Sequence, residues 1–443
     1  MNMRYFKGFE KFFWGVILLV FATKMDVFAE NSLLSSGTWY KMSVSSTGMY
    51  RLSYSDLVSM GVDVGNIDPR NIRIFHNGGG VLPKINKDYY PDDLYEIPVF
   101  VSGEDDGVFN SNDHIIFYAR GPVVWNYYSS RNYYGHVKNP YTDNTYVFMT
   151  IGDVPGRRIQ TENLSGGENS VSVTEFLDYK VKDVDDININ NMGCTWYFDP
   201  FDLTLQRSYE FTFSNMVLSK NAKMRASVAS KNATQASFIF KYNNNQLYSR
   251  TFGPTNDNTF ANFDSSCYAT FKAIDNTVKI DINYVKTTTA SVGWLDYISM
   301  NAWCDLVMTN NVMSFRNPEC SDESSVYEYK LQNASNAIQV WNVTDPINPT
   351  RMSTTLSSAT MSFKIRGNVN NEFIAFNGNE FNKPVFVEIV ANQNLHAKRD
   401  IDYLIITHPK FQAQAERLKE IHSRLDDLVI DIVQPQYIYN EFS

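Results

Sequence analysis

Along much of the middle of this chain the side chains alternate between apolar and polar with a period of two. Tyr209, Phe211 and Phe213 alternate with Ser208, Glu210 and Thr212. Ala236, Phe238, Phe240 and Tyr242 repeat the pattern before the turn Asn243-Asn244-Asn245, and Val278, Ile280, Ile282 and Tyr284 alternate with Lys279, Asp281 and Asn283. Successive side chains of a strand point to opposite faces, so the pattern dictates antiparallel strands with one dry face and one wet. Several such strands, separated by Asn- and Gly-rich turns, predict a sandwich or jelly-roll domain over 159–310. The 27 Tyr and 30 Phe supply strand-forming bulk for its core.

The flanks extend the same grammar. In 30–158, a predicted N-terminal β domain, Trp39 to Val44 and Met49 to Leu52 read as a hairpin about Ser46-Thr47-Gly48. Tyr54 to Met60 reads as a helical turn that Gly61 ends. Asn71 to Phe75 is a further strand, closed by Asn77-Gly78-Gly79-Gly80. That run lacks the Gly spacing, the Lys-Ser/Thr pair and the following helix of a phosphate loop, so it reads as a tight turn. Residues 311–400 continue as a β segment, with Met361, Phe363 and Ile365, then Val385, Val387 and Ile389.

At residue 401 the pattern changes. Tyr403 to Ile406 is a continuous apolar strand; Phe411, Ala415, Leu418, Ile421 and Leu425 then recur at helical spacing; Leu428 to Val433 is a second strand. Strand, amphipathic helix and strand make a βαβ unit, whose parallel strands need covering on both faces. The fold class is therefore mainly β: tandem antiparallel sandwich or jelly-roll domains, followed at 401–443 by the first βαβ unit of an α/β domain that one such unit leaves unfinished.

Residues 1–29 have the form of a secretory signal peptide. Arg4, Lys7 and Lys11 precede the apolar run Phe12 to Ala22, too short to span a bilayer, and Val27-Phe28-Ala29 supplies a cleavage site before Glu30. Export to the periplasm, outer membrane or cell surface is the expectation. Removing four basic and two acidic groups with that segment takes the net charge from −9 to −11. Nucleic acid is excluded as a partner on that balance, since its binding rests on neutralising phosphates. Cys194, Cys267, Cys304 and Cys320 allow two disulfides in three pairings, buried thiols, or a nucleophile; none has CxxC spacing.

Few residues suggest chemistry. Asp106, Asn110 and Asp113, with Gly107 between, match part of an EF-type calcium loop, the alternative being an ordinary acidic turn. His408 follows an apolar strand, where α/β active sites gather, but precedes a Pro and suits a helix cap. Asp402 and His408 bracket that strand and are too far apart for a dyad. Asn163, Asn232, Asn333 and Asn342 fit the N-x-Ser/Thr pattern. Tyr127, Tyr128, Tyr133 and Tyr134 suit either a core or a platform for sugars; the platform gives the competing reading of a surface carbohydrate-binding adhesin without enzymatic activity.

Several stretches together resemble the N-terminal half of the type IX secretion sortases, gingipain-like cysteine peptidases. They are Gly37 to Lys41, Asp68 to Ile74, Gly103 to Gly107, Gly293 to Ile298, Val340 to Pro346, Asn392 to His396, Asp402 to Pro409 and Tyr437 to Ser443. The resemblance implies that Asp402 opens a truncated gingipain-type α/β domain whose catalytic His and Cys lie beyond Ser443. No catalytic residue is carried onto this chain, and no cofactor besides the calcium candidate. It implies a full-length endopeptidase and transpeptidase that removes C-terminal sorting domains from exported cargo and transfers the cargo to surface lipopolysaccharide. Its partners would be cargo C-terminal domains and outer-membrane secretion components, with this chain supplying scaffold and docking surfaces and inactive alone.

Overall fold

The computed structural model describes residues 31–85, 90–164, 170–189, 191, 193–255 and 261–442. Residues 1–29, the expected signal peptide, lie outside them. The chain forms two compact units, Thr38–Val390 and a second built from 31–37 with 391–442. Among the described residues no helix is long and apolar enough to cross a membrane.

The first unit is antiparallel β almost throughout, as the alternation requires. Near its N-terminus, Val385–Val390, Trp39–Val44, Thr145–Ile151, Ile72–His76 and Tyr95–Ile97 form one sheet in that order. Gly48–Ser53, His114–Ala119 and Phe100–Val101 form a smaller one, and Met42, Leu52, Ile74, Phe117 and Met149 fill the core between. The helical turn Tyr54–Ser59 starts on a capping box between Ser53 and Asp56 and gives way to Gly61 at φ +86°. Gly78, Gly79 and Gly80 all have positive φ, and a Cβ on Gly79 would lie 2.7 Å from the Arg120 carbonyl oxygen. The run is a tight turn pressed on a neighbouring backbone.

The jelly-roll region has two facing sheets. One orders Glu175–Asp183, Val292–Asp305, Ala222–Lys231 and Asn262–Phe271; the other orders Gln206–Thr212, Thr277–Lys286, Ala236–Tyr242 and Asn245–Phe252. Phe211, Phe238, Phe240, Ile280 and Ile282 of the second meet Met224, Val228, Leu295 and Met300 of the first in one core. That core runs on into the following sheets through Phe315, Tyr329, Phe363 and Phe373, where Tyr329 and Phe363 stack at 5.2 Å.

Two connections escape the period-two pattern. Thr161–Glu162 and Ser170–Val173 add parallel edge strands to Thr350–Met352 and Val326–Gln332, tying the early chain to the later sheets. Val385–Val390 returns to pair with Trp39–Val44, so the strand predicted to lead onward closes the first sheet. It is an edge strand, and Val385, Val387 and Ile389 on its alternating face stay exposed.

Candidate functional site

The second unit contains the βαβ element. Tyr403–Ile406 and Ile430–Val433 pair in parallel, with Tyr403 opposite Ile430 and Ile406 opposite Val433. Between them a 3-10 turn Pro409–Phe411 leads into the helix Gln412–Leu425. His408 caps that start, its Nδ1 accepting from Lys410 N at 3.2 Å. Asp402 accepts from Val429 N at 2.8 Å and so fixes the head of the strand pair. Each residue is engaged locally, and they form no dyad. Ala415 is buried, whereas Phe411, Leu418, Ile421, Leu425, Tyr403, Leu404 and Ile406 are all exposed. A sheet of two strands and one helix leaves these side chains wet, and each large one forgoes roughly 1.5–3 kcal/mol.

A further helix, Pro435–Phe442, follows the second strand and brings in a polar cluster that the sequence pattern did not signal. Glu441 is 1% exposed and accepts from Gln393 Nε2 at 2.8 Å, from Leu395 N at 2.9 Å and from His396 Nδ1 at 2.7 Å. Asn440, also buried, donates to Gln393 Oε1 at 3.2 Å, and the His396 ring stacks on Phe442 at 4.6 Å. Leu34 O accepts from Gln393 N, so the segment 31–37 is anchored in the same cluster. A buried carboxylate with three N–H donors is a fastening, because the donors replace the hydrogen bonds it would make to water. The only hint in the sequence was that its members fall within Asn392 to His396 and Tyr437 to Ser443, two of the family-like stretches.

The calcium candidates do come together. Asp106 Oδ1 accepts from Val108 N at 2.9 Å and its Oδ2 from Asn110 Nδ2 at 3.1 Å, while Asp113 Oδ2 accepts from Asn110 N at 2.7 Å. The remaining Asp113 oxygen occupies the space a Cβ on Gly103 would fill. These bonds are those of an acidic turn, and each carboxylate keeps lone pairs that a cation could share. Among the described residues no group of three or more His, Cys, Asp or Glu is gathered for a metal. Asp113→Ala should therefore cost about 1–2 kcal/mol in calcium and in chelator alike. A melting temperature that falls on chelation of the unmodified chain, and not in the variant, would show that the loop holds calcium.

The cysteines need a correction. All four are free: Cys194 is exposed, and Cys267, Cys304 and Cys320 are buried in one core. Burial pushes the Cys267 thiol up to about 12 and that of Cys320 up to about 11, and raises Cys304 as well. Such thiols are inert core residues, since the thiolate is the nucleophile.

The tyrosine platform is also withdrawn. Tyr133 and Tyr134 are buried; Tyr128 stacks on Tyr133 at 5.0 Å and Tyr127 packs on Tyr134 at 5.2 Å. Arg225 lies 4.3 Å over the Tyr133 ring, and Asn301 exchanges two hydrogen bonds with the Tyr134 backbone. Tyr127, Tyr133 and Tyr134 dock the hairpin Val123–Tyr128 and Tyr133–Lys138 onto the jelly roll, while Tyr128 is exposed on it. Of the N-x-Ser/Thr sites, Asn232 is buried and bonded to Tyr284, while Asn163 and Asn333 are exposed.

The βαβ element is where the chain meets a known family. Residues 396–443 match the family model for peptidase family C25. The fold matches dimeric latent PorU from Porphyromonas gingivalis with a TM-score of 0.79 at 22% identity, over 93% of this chain and 38% of that one. The likeness establishes the fold, and the chain spans 38% of the length of that relative. A CBM36 carbohydrate-binding module in complex with calcium and xylotriose aligns at a TM-score of 0.17, 15% identity, over 21% of this chain and 71% of that one. The Cry8Ea1 delta-endotoxin of Bacillus thuringiensis aligns at 0.20 and 12% identity, over 60% and 52%. Both scores are too low to bear on this molecule. No curated protein matches the chain by sequence.

Proposed function

We propose that this chain is the scaffold and docking region of a type IX sortase-like cysteine peptidase. The observation that carries the reading is the match of residues 396–443 to peptidase family C25, falling on a βαβ element whose helix and strands leave their apolar side chains exposed. A gingipain-type domain continued from this element would cover them. The PorU-like fold of the rest is consistent with that role.

The whole protein would act at the outer membrane on cargo C-terminal sorting domains. A thiolate supplied from outside residues 1–443 would attack the scissile carbonyl, and a His holding the thiol proton would pass it to the departing amine of the sorting domain as the C–N bond breaks, leaving a thioester acyl-enzyme. The acyl-enzyme would then pass to water or to an amine on surface lipopolysaccharide. The buried thiols described above have no part in this.

The test is a cleavage assay on a peptide spanning a cargo sorting-domain junction. The chain alone should give no turnover. Turnover that persists with all four Cys replaced by Ser, or that is lost on Cys194→Ser alone, would overturn the reading.

A further inference from the structure

Three loops meet at one end of the sheet that contains Val312–Arg316, Glu372–Phe376 and Gln339–Asn342. They are 308–311, 333–338 and 377–380, and they enclose an open groove of about 680 Å³. We propose that this groove binds an extended polypeptide segment of neutral to basic character. The inference goes beyond the peptidase reading, because it concerns binding at a place remote in sequence from the C25 match.

The lining chemistry selects the ligand. Carboxamides dominate: Asn310, Asn311, Asn333 and Asn377, with Glu380 the one charged side chain of the groove. They are organised in a chain. Asn377 Nδ2 donates to Asn311 Oδ1 at 2.8 Å, and Asn311 Nδ2 donates to Glu380 Oε2 at 3.2 Å. Asn377 N also donates to Asn311 O, and Asn333 Nδ2 is held by Met308 O at 2.6 Å. Each amide nitrogen carries a second hydrogen, and no hydrogen bond among the described residues occupies Asn333 Oδ1 or the other Glu380 oxygen. The groove thus presents fixed donors and acceptors side by side, which is the complement of a peptide group.

Other ligand classes fit less well. Among the described residues no Lys, Arg or His lines the groove, so phosphates, sulfates and acidic polymers meet no counter-charge there. No aromatic ring lines it, so a sugar face has nothing to stack on. Met308, Val312 and Ile338 line the base of the groove, with Met308 and Ile338 nearly buried beneath the carboxamides. Glu380, exposed at the rim, favours a Lys or Arg in the ligand. The volume falls in the range of ordinary ligand sites, roughly 300–1,000 Å³.

The test is fluorescence anisotropy with the full chain and a fluorescein-labelled twelve-residue peptide of alternating Thr, Val and Lys. Saturable binding is expected, weakened about tenfold by Asn311→Ala and several-fold by Glu380→Gln. The same peptide with Glu in place of Lys should bind more weakly to the chain, and Glu380→Gln should narrow that difference. Melting temperatures of both variants report whether they fold, and Asn310→Ala, at an exposed position, serves if Asn311→Ala does not. No saturable binding overturns the proposal, as does binding that all these variants leave unchanged. Displacement of the peptide by maltohexaose, or binding of maltohexaose alone, also overturns it and makes the groove a saccharide site. Turnover enters no arm, so failure here is separate from failure of the peptidase reading.

Discussion

Glu372→Ala should destabilise the Thr38–Val390 unit by about 3–5 kcal/mol, the loss typical when one partner of a buried ion pair is removed. Glu372 is 5% exposed and holds two guanidiniums. Arg316 Nη2 donates to one carboxylate oxygen, and Arg120 Nη2 donates to the other at 3.3 Å. Arg120 follows the strand His114–Ala119, Arg316 ends Val312–Arg316, and Glu372 begins Glu372–Phe376, so the triad joins elements distant in sequence. Its surroundings are aromatic. Arg316 lies 4.6 Å over Trp125 and 5.5 Å over Tyr134, and burial raises the hydroxyls of Tyr118 and Tyr134.

Without Glu372 two cations would face each other among these rings. Arg120 is a quarter exposed, which places the expected loss toward the lower end of the range. Urea unfolding at neutral pH measures it. A double replacement, Glu372→Leu with Arg316→Met, should cost less than Glu372→Ala, because it removes charge from both sides. A Glu372→Ala loss below about 1 kcal/mol would mean that water reaches the triad and screens it.

None of that triad was visible in the sequence, and the reason is general to this fold. Alternation is legible where one face of a strand meets a packed sheet. Ala236–Tyr242 was readable because its buried and half-exposed residues alternate along the whole strand. The same alternation at Val385 to Ile389 has a different cause, since the strand lies at an edge with its apolar side chains exposed. Its partner, Trp39–Val44, is at the far end of the unit, where no local pattern points. Strands as short as Thr161–Glu162 have no period to read.

Turns follow the same logic. Asn243 and Asn244 announce a hairpin because Asn tolerates positive φ, and both adopt it. Ser358 and Ala359 turn the chain with the same φ, and nothing in their side chains declares it. At the sites, local roles were legible: His408 capping a helix and Asp106 to Asp113 closing a loop both act within a few residues. The tyrosine hairpin and the Glu441 cluster depend on partners far away in the chain, and composition is silent on those.

His76 should make the unit acid-sensitive over a defined window. It is fully buried in Ile72–His76, and its Nδ1 hydrogen donates to the Tyr146 carbonyl at 3.0 Å. Nε2 is then the bare nitrogen and makes no hydrogen bond of good geometry among the described residues, while the Arg120 backbone beside the ring offsets part of the burial effect. Burial lowers the pKa from 6.5 to about 4, with the Arg120 charge acting in the same direction. The fold therefore prefers the neutral ring. The unfolded chain takes up its proton first as pH falls through 6.5, so stability is fully present above that value, declines down to about 4, and levels off below. The depression is worth about 3 kcal/mol.

Asp296 acts in the opposite sense. Burial raises its carboxyl to about 6, so the fold takes up that proton first, and stability is gained as pH falls from about 6 to 3.8. The two contributions offset each other in a bare pH titration, and variants are needed to separate them. The advantage of the unmodified chain over His76→Gln, which keeps a donor for Tyr146, should shrink by about 3 kcal/mol between pH 7 and 4. Its advantage over Asp296→Asn should grow across the same interval. Denaturant midpoints at four or five pH values resolve both slopes. A His76→Gln difference that stays flat with pH would mean that the ring is hydrated in the folded chain, and that Nε2 takes up its proton there as readily as in the unfolded one.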